Sequence, residues 1–210
     1  MIHFQTGGFF MSHVIITISR EYGSGGRLIA QKLAGDLGIP FLDRQIISEA
    51  ARTSGLPEDV IRKTENQKPF TNAFYEMFSY YATTNNQSVS EQVFLAESKV
   101  ITDAADKGSC VIVGRCANYV LKGRKSCLSV FIHAPKNDRI RRAHDVYGIK
   151  SQNLEAYVMR QDKSRASYYN YFAENKWSDC KSYDLCLNST IGLDACVEVI
   201  KAAALNLSRG

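Results

Sequence analysis

Short apolar runs alternate with stretches of helical periodicity along most of the chain. Five of these runs are bounded by turn residues or polar residues, a pattern typical of buried parallel strands. The predicted strands cover residues 14–18, 41–43, 110–114, 127–132 and 183–187. Strands that are separated by helical segments predict a three-layer α/β domain with a parallel sheet.

Between the strands, apolar residues recur at the spacing of one helix face. The predicted helices cover residues 28–37, 44–54, 57–64, 70–83, 88–107, 136–147, 151–174 and 193–207. No internal repeat, low-complexity tract or linker marks a second independent domain. We therefore expect a single domain over residues 13–210, preceded by an N-terminal extension of residues 1–12.

The charge balance adds a preference for anionic ligands. The 210 residues include 26 Lys and Arg against 21 Asp and Glu, which gives a net charge of +5. This excess is too small to indicate a nucleic-acid polymer as partner, but it attracts small anions to a basic cleft. No apolar run approaches the roughly 20 residues that a membrane span needs, and the first ten residues lack the pattern of a secretory signal. We expect a cytoplasmic protein without a membrane partner.

The six cysteines form no C-x-x-C motif and no Cys/His spacing typical of metal ligands. Cys110, Cys127 and Cys186 fall inside apolar runs. We interpret the cysteines as buried thiols rather than as disulfides or metal ligands.

Polar residues follow the predicted strands at the edge where ligands of parallel sheets bind. Arg20 comes after the first strand, Asp43 and Arg44 end the second, Arg115 follows the third and His133 the fourth. Arginines beside a carboxylate on one rim suit a phosphorylated substrate.

A glycine-rich turn, Gly23-Ser24-Gly25-Gly26, joins the first strand to the first helix. In this setting backbone N–H groups and the helix N-terminus can hold a phosphate. The turn departs from G-x-x-x-x-G-K-[ST], because Arg20 replaces the first glycine, Gly26 the lysine and Arg27 the serine or threonine. We predict that Arg27 supplies the missing positive charge; the alternative is a plain tight turn.

Several motifs together resemble the cytidylate-kinase-like family of P-loop proteins. The similarity begins near residue 13 and covers nearly the whole chain. The motifs that carry it are the run 16–27, Phe41-Leu42-Asp43-Arg44, Val111-Ile112-Val113-Gly114-Arg115, Asp162-Lys163-Ser164-Arg165 and the run 184–189.

The resemblance implies a three-layer P-loop NTPase fold with a five-stranded parallel sheet in the order 2-3-1-4-5. Residues 44–108 would form the helical insertion that binds the nucleoside monophosphate (NMP), and residues 139–172 the lid. It also implies ATP and Mg²⁺, with a pyrimidine nucleoside monophosphate such as CMP or dCMP, or a related small phosphorylated compound, as acceptor.

The candidate residues fall into three groups. Those expected to hold ATP are Gly23, Ser24, Gly25, Gly26, Arg27, Arg139 and Arg142. Those expected to bind the acceptor are Asp43, Arg44, Arg115 and Asp162. Those expected to act on the transferred phosphate are Arg27, Arg115, Arg160 and Arg165. Asp162 and Arg165 share a helix face and match the D-x-x-R of the family; solvated helix faces are the alternative for the lid arginines.

The metal ligands cannot be identified from the sequence. Arg27 stands where a serine or threonine is usual, and Cys116 stands where similar kinases have an aspartate after Gly-Arg. Ser24 and Asp43 are the fallback contacts for Mg²⁺, through water.

Two further functions stay open. The missing lysine and Cys116 favour a nucleotide-binding sensor that has lost phosphoryl transfer. The long insertion favours a kinase of another small molecule, since fold does not fix substrate. Its aromatic residues at helical spacing predict internal packing or a homodimer face; they are Phe70, Phe74, Tyr75, Phe78, Tyr80 and Tyr81.

Overall fold

The computed structural model of the chain describes residues 13–66 and 88–207. Five parallel strands form one sheet in the order β2-β3-β1-β4-β5. They are β1 (Ile15–Arg20), β2 (Phe41–Leu42), β3 (Cys110–Val113), β4 (Cys127–His133) and β5 (Leu185–Asn188). The predicted fold class and strand order are confirmed.

Eight α-helices surround the sheet in the described part of the chain. They are α1 (Gly26–Leu37), α2 (Gln45–Ser54), α3 (Glu58–Asn66), α4 (Val89–Lys107), α5 (Ala117–Val120), α6 (Lys136–Asp145), α7 (Leu154–Phe172) and α8 (Leu193–Leu207). Two 3₁₀ turns, Cys180–Ser182 and Ser189–Ile191, flank β5.

The predicted helix over residues 70–83, with its aromatic face, lies outside the described residues. Helix α5 was not predicted, because a single turn is too short to show a helical period. Helix α7 begins at Leu154, later than the predicted residue 151, because the Asn153 side chain accepts a hydrogen bond from the Ala156 N–H at 2.9 Å and caps the helix.

The sheet separates two apolar cores. Strand β1 shows how, because Ile16 and Ile18 face one side while Ile15 faces the other, as the two-residue period of a strand requires. Ile16 and Ile18 pack with residues of α1 and α8, and Ile15 packs with residues of α2, α3 and α4. All three are fully buried. The central strand is therefore rigidly held from both faces.

A third, aromatic cluster attaches α7 to the sheet. Phe131 packs edge-on against Trp177 at 5.3 Å between ring centroids, and the Tyr183 hydroxyl donates to the Trp177 carbonyl at 2.6 Å. Tyr168 and Tyr169 are buried in the same cluster. These aromatic side chains pack against one another between α7 and the sheet.

The cysteine prediction is correct in part. All six are free thiols, and burial raises the pKa of Cys110 to about 11 and that of Cys127 to about 12. Cys180, however, is exposed on a 3₁₀ turn at the surface, and Cys127 and Cys186 are only partly buried, so the prediction of buried thiols holds for the other three. In the residues that the structure describes, no helix is both long and apolar enough to cross a membrane.

Replacement of Ile16 by alanine tests the role of the central strand. Because Ile16 is fully buried, the cavity should lower the free energy of unfolding by about 2–5 kcal/mol, measured by urea denaturation. Val199→Ala on α8 is the control. Because Val199 is 40% exposed, this substitution should change the free energy of unfolding by about 0.5 kcal/mol or less. Equal effects would contradict the packing described for β1.

Candidate functional site

The glycine-rich turn wraps the N-terminus of α1. Gly23 and Gly25 have φ values of 79° and 86°, in the left-handed region that glycine adopts without strain. Gly23 also passes so close to the Arg139 backbone that a β-carbon would collide with its carbonyl oxygen. Helix α1 starts directly after Gly25, so its first amides and its dipole point toward the turn. This geometry is typical of loops that bind anions.

The Ser24 hydroxyl belongs to the internal structure of this loop. It donates to the Glu21 carbonyl at 2.9 Å and accepts from the Gly26 N–H at 3.4 Å. Ser24 is fully buried. These contacts shape the loop, and the contact of Ser24 with Mg²⁺ through water stays a prediction.

Residues of α6 and α7 brace the loop from behind. Asp162 accepts from the Tyr22 N–H at 2.6 Å and forms an ion pair with Arg139, which donates to the Tyr22 carbonyl at 3.2 Å. Arg142 donates to the Gly23 carbonyl at 2.7 Å. Because the C=O and N–H of a trans peptide point in opposite directions, holding the Tyr22 carbonyl from behind turns the Gly23 N–H toward the front of the loop.

Arg139 and Asp162 thus act as positioning residues in this structure. Arg139 is 4% exposed and Asp162 8% exposed, and neither borders the cleft described below. Their predicted contacts with ATP and with the acceptor stay predictions.

A cavity of about 660 Å³ opens in front of the loop. Gly23, Gly26 and Asp43 line it together with six arginines. These are Arg20, Arg27, Arg44, Arg62, Arg115 and Arg165. The six guanidinium groups outnumber the two acidic residues of the lining, Glu21 and Asp43, and this excess of positive charge suits a multiply charged anion.

The predicted arginines do not all reach this cavity. Arg27, Arg44, Arg115 and Arg165 line it, whereas Arg142 lies behind the loop and Arg160 is exposed on α7, 5.7 Å from the Tyr157 ring. The contribution of Arg160 to transfer stays a prediction. Arg62 was missed, because its place four residues after Glu58 on α3 looks like that of an exposed helix pair.

Arg27 points toward the second strand rather than over the loop. Its Nε donates to Asp43 at 2.6 Å, and its guanidinium lies 5.9 Å from the centre of the Phe41 ring. The side chain is 47% exposed, and that of Asp43 is 9% exposed. Asp43 therefore offsets part of the positive charge of Arg27.

Arg115 is held by a buried carboxylate. Glu97 on α4 is fully buried, forms an ion pair with Arg115 and accepts from the Tyr168 hydroxyl at 2.8 Å. The backbone reaches this arrangement through three consecutive left-handed residues, since φ is 77° at Gly114, 53° at Arg115 and 55° at Cys116. Such conformations are costly for non-glycine residues and persist where the surroundings enforce them.

Sequence reasoning missed Glu97, although the chain carries a signal for it. Glu97 lies four residues after Val93 and four before Ile101, on the apolar face of its helix. A carboxylate on such a face requires a cationic or hydrogen-bonding partner.

Tyrosines of the α6–α7 segment cover the loop. The Tyr22 ring contacts Tyr147 and Tyr157 edge-on, at 5.9 and 5.6 Å between ring centroids, and the Arg165 guanidinium lies 5.2 Å from it. Burial raises the pKa of Tyr147, while Arg142, Arg165 and the Gly25 N–H act in the opposite direction. Tyr147 lines the cavity together with Arg20 and Arg165.

Among residues 13–66 and 88–207, no group of three or more His, Cys, Asp or Glu side chains could hold a metal ion. Kinases commonly hold Mg²⁺ through one or two carboxylates and the phosphates of the substrate. Asp43, a carboxylate on the cleft, fits such a site.

Glu97→Ala tests whether the buried ion pair holds the site together. Removal of the carboxylate leaves the Arg115 charge buried without Glu97, so the free energy of unfolding should fall by about 3–5 kcal/mol in urea denaturation. Lys99→Ala on the same helix, where Lys99 is 66% exposed, should change it by about 0.5 kcal/mol or less. A Glu97→Ala protein as stable as the control would show that Arg115 does not depend on Glu97.

Comparisons with known proteins agree with the fold described above. Residues 15–191 match the cytidylate kinase-like family. An uncharacterized protein from Eubacterium ventriosum is 26% identical, with a TM-score of 0.69 over 91% of this chain and 98% of its own. No curated protein matches the sequence.

Two kinases share the fold at low identity. Shikimate kinase from Acinetobacter baumannii is 15% identical, with a TM-score of 0.52 over 94% of this chain and 96% of its own. A gluconokinase from Sinorhizobium meliloti is 14% identical, with a TM-score of 0.56 over 95% of each chain.

Proposed function

We propose that this chain, which belongs to the cytidylate kinase-like family, transfers a phosphoryl group from ATP to a small phosphorylated acceptor. The first candidate acceptor is a pyrimidine nucleoside monophosphate such as CMP or dCMP. The observation that carries this proposal is the cavity of about 660 Å³ at which the glycine-rich loop and six arginines meet. Two phosphorylated substrates placed end to end require this distribution of charge.

The loop provides the donor side. Its amides and the N-terminus of α1 would bind the ATP phosphates, and the bracing by Arg139, Arg142 and Asp162 would keep the loop in that shape before ATP arrives. Mg²⁺, when bound with ATP, would neutralise phosphate charge, with Asp43 as the carboxylate that holds it.

Arginines from separate elements provide the acceptor side. Arg44 and Arg62 come from the region of residues 44–108, proposed as the acceptor-binding insertion, and Arg115 comes from the end of β3. Arg165 comes from the region of residues 139–172, proposed as the lid. Closure of these regions on the substrates would exclude water from the reacting phosphate.

The transfer itself needs no nucleophile from the protein. An oxygen of the acceptor phosphate forms a bond to the γ-phosphorus of ATP, while the bond to the oxygen bridging the β- and γ-phosphates breaks and ADP leaves. Arg165, which lines the cavity and touches the loop, would stabilise the charge on the transferred group.

A nucleotide sensor without transferase activity is the second candidate. Gly26 in place of the loop lysine favours it, as does Cys116, which is buried where similar kinases have an aspartate. The sensor is expected to be stabilised by ATP without forming product. The chain is further proposed to act in the cytoplasm.

A coupled assay with ATP and Mg²⁺ across CMP, dCMP, UMP and AMP tests the transfer. Arg165→Ala should lower kcat/KM for the best acceptor by about 10²–10³-fold, because it removes a positive charge that stabilises the negatively charged transition state. Arg141→Ala, whose side chain is 71% exposed and pairs with Asp138, is the control and should leave kcat/KM unchanged. If the unmodified protein turns over no acceptor faster than Arg165→Ala does, the kinase proposal is wrong. If ATP raises the thermal stability of the protein but no product forms, the sensor is favoured.

A further inference from the structure

The lysine position of the loop is occupied in space by the side chain of Arg20. A β-carbon at Gly26 would lie 2.6 Å from the Arg20 Cβ and 3.2 Å from both the Arg20 Cγ and the Ile132 Cβ. A lysine at residue 26 would therefore collide with Arg20. The absence of a lysine at residue 26 and the presence of an arginine at residue 20 therefore depend on each other, because the two side chains would compete for the same space.

A second glycine makes room for the other end of the same side chain. Gly114 directly follows β3, and a β-carbon there would collide with the Arg20 Nη1 and lie 3.2 Å from its Cζ. The side chain thus extends from the loop to the end of β3, with Gly26 along its stem and Gly114 at its guanidinium. Its backbone is fixed as well, because Arg165 donates to the Arg20 carbonyl at 3.0 Å.

The Arg20 side chain borders two neighbouring cavities. Arg20 lines the large cavity, and it also lines a neighbouring cavity of about 130 Å³ formed with Arg115, Arg165 and aromatic residues of α7. Arg27, the alternative source of charge, binds Asp43 and packs over Phe41.

We infer that Arg20 supplies the phosphate-binding charge that the loop lysine supplies in standard P-loops, and that Gly26 and Gly114 are small in order to admit it. The inference rests on the proposed binding of ATP at the loop. The planar guanidinium of Arg20 offers two parallel N–H donors to phosphate oxygens, whereas a lysine offers a single charged group. Arg20 would be a catalytic residue in the sense that it contacts the transferred phosphate.

Binding of ATP and of inorganic tripolyphosphate, measured by titration calorimetry, tests the inference without the need for turnover. Arg20→Ala should raise the Kd for both by about 10–100-fold, and Arg27→Ala should raise it several-fold less. Arg141→Ala on α6 is the control for the loss of one surface arginine. A larger loss in Arg27→Ala than in Arg20→Ala would overturn the inference.

A transplanted lysine gives the sharper test. Gly26→Lys alone should bind tripolyphosphate poorly, because Arg20 occupies the space. The double variant Arg20→Gly/Gly26→Lys frees that space, so its Kd should be lower than that of Arg20→Gly alone. A double variant that is well folded by circular dichroism and yet binds no better than Arg20→Gly would contradict the assignment.

The glycine at the end of β3 provides an independent matched pair. Gly114→Ala and Gly123→Ala both place a side chain at a left-handed φ, 77° and 85°, but only the first meets Arg20, while Gly123 has open space around it. Gly114→Ala should weaken tripolyphosphate binding beyond any effect of Gly123→Ala at matched stability. Equal effects would overturn the role given to Gly114.

The proposed kinase activity and the role inferred for Arg20 can be refuted independently of each other. Tripolyphosphate binding that depends on Arg20, without transfer to any acceptor, would refute the kinase and keep the inference. A wild-type protein that binds neither ATP nor tripolyphosphate would refute both.

Discussion

The buried ion pair between Arg139 and Asp162 is the interaction on which the site depends. It joins the two helices α6 and α7, and both partners also reach the backbone of Tyr22 in the loop. A loop that binds phosphate must present N–H groups forward, which requires that its carbonyls be satisfied elsewhere. The two side chains that meet this requirement lie more than a hundred residues after Tyr22 in the sequence. The pair therefore ties the shape of the loop to the position of α6 and α7.

The same principle operates at the end of β3, where Glu97 holds Arg115 in the interior. Both ion pairs are buried. The Glu97–Arg115 pair joins α4 to the carboxyl edge of the sheet, whereas the Arg139–Asp162 pair joins α6 to α7. Buried pairs of this kind contribute geometry more reliably than stability, because desolvation offsets much of their attraction. In this protein they fix where arginines and amides stand before a substrate binds, which is the condition for catalysis by positioning.

The sequence predicts the fold well because the information is local. Short apolar strands, glycine-bounded helices and the strand-turn-helix around Gly23 each have a pattern in one window of the chain. The strand order came from the family resemblance and is confirmed by the structure. The glycine-rich turn was also found, along with Arg27, Arg44, Arg115 and Arg165 as residues that line the cavity.

The sequence could not assign the individual arginines their partners, since these come from distant segments. Arg139 looks like a lid residue aimed at ATP, yet it is buried against Asp162; Arg20 looks like a departure from a motif, yet it fills the space of a missing lysine. The packing of Gly26 and Gly114 around the Arg20 side chain accounts for both the arginine at residue 20 and the absence of a lysine at residue 26.

A crystal structure of the protein with a non-hydrolysable ATP analogue tests the central claim most directly. The account predicts that the phosphates rest on the amides of residues 23–27 and that the guanidinium of Arg20 is the nearest cation to the terminal phosphate. Phosphates bound away from the loop, or contacted by Arg27 with Arg20 turned aside, would contradict it.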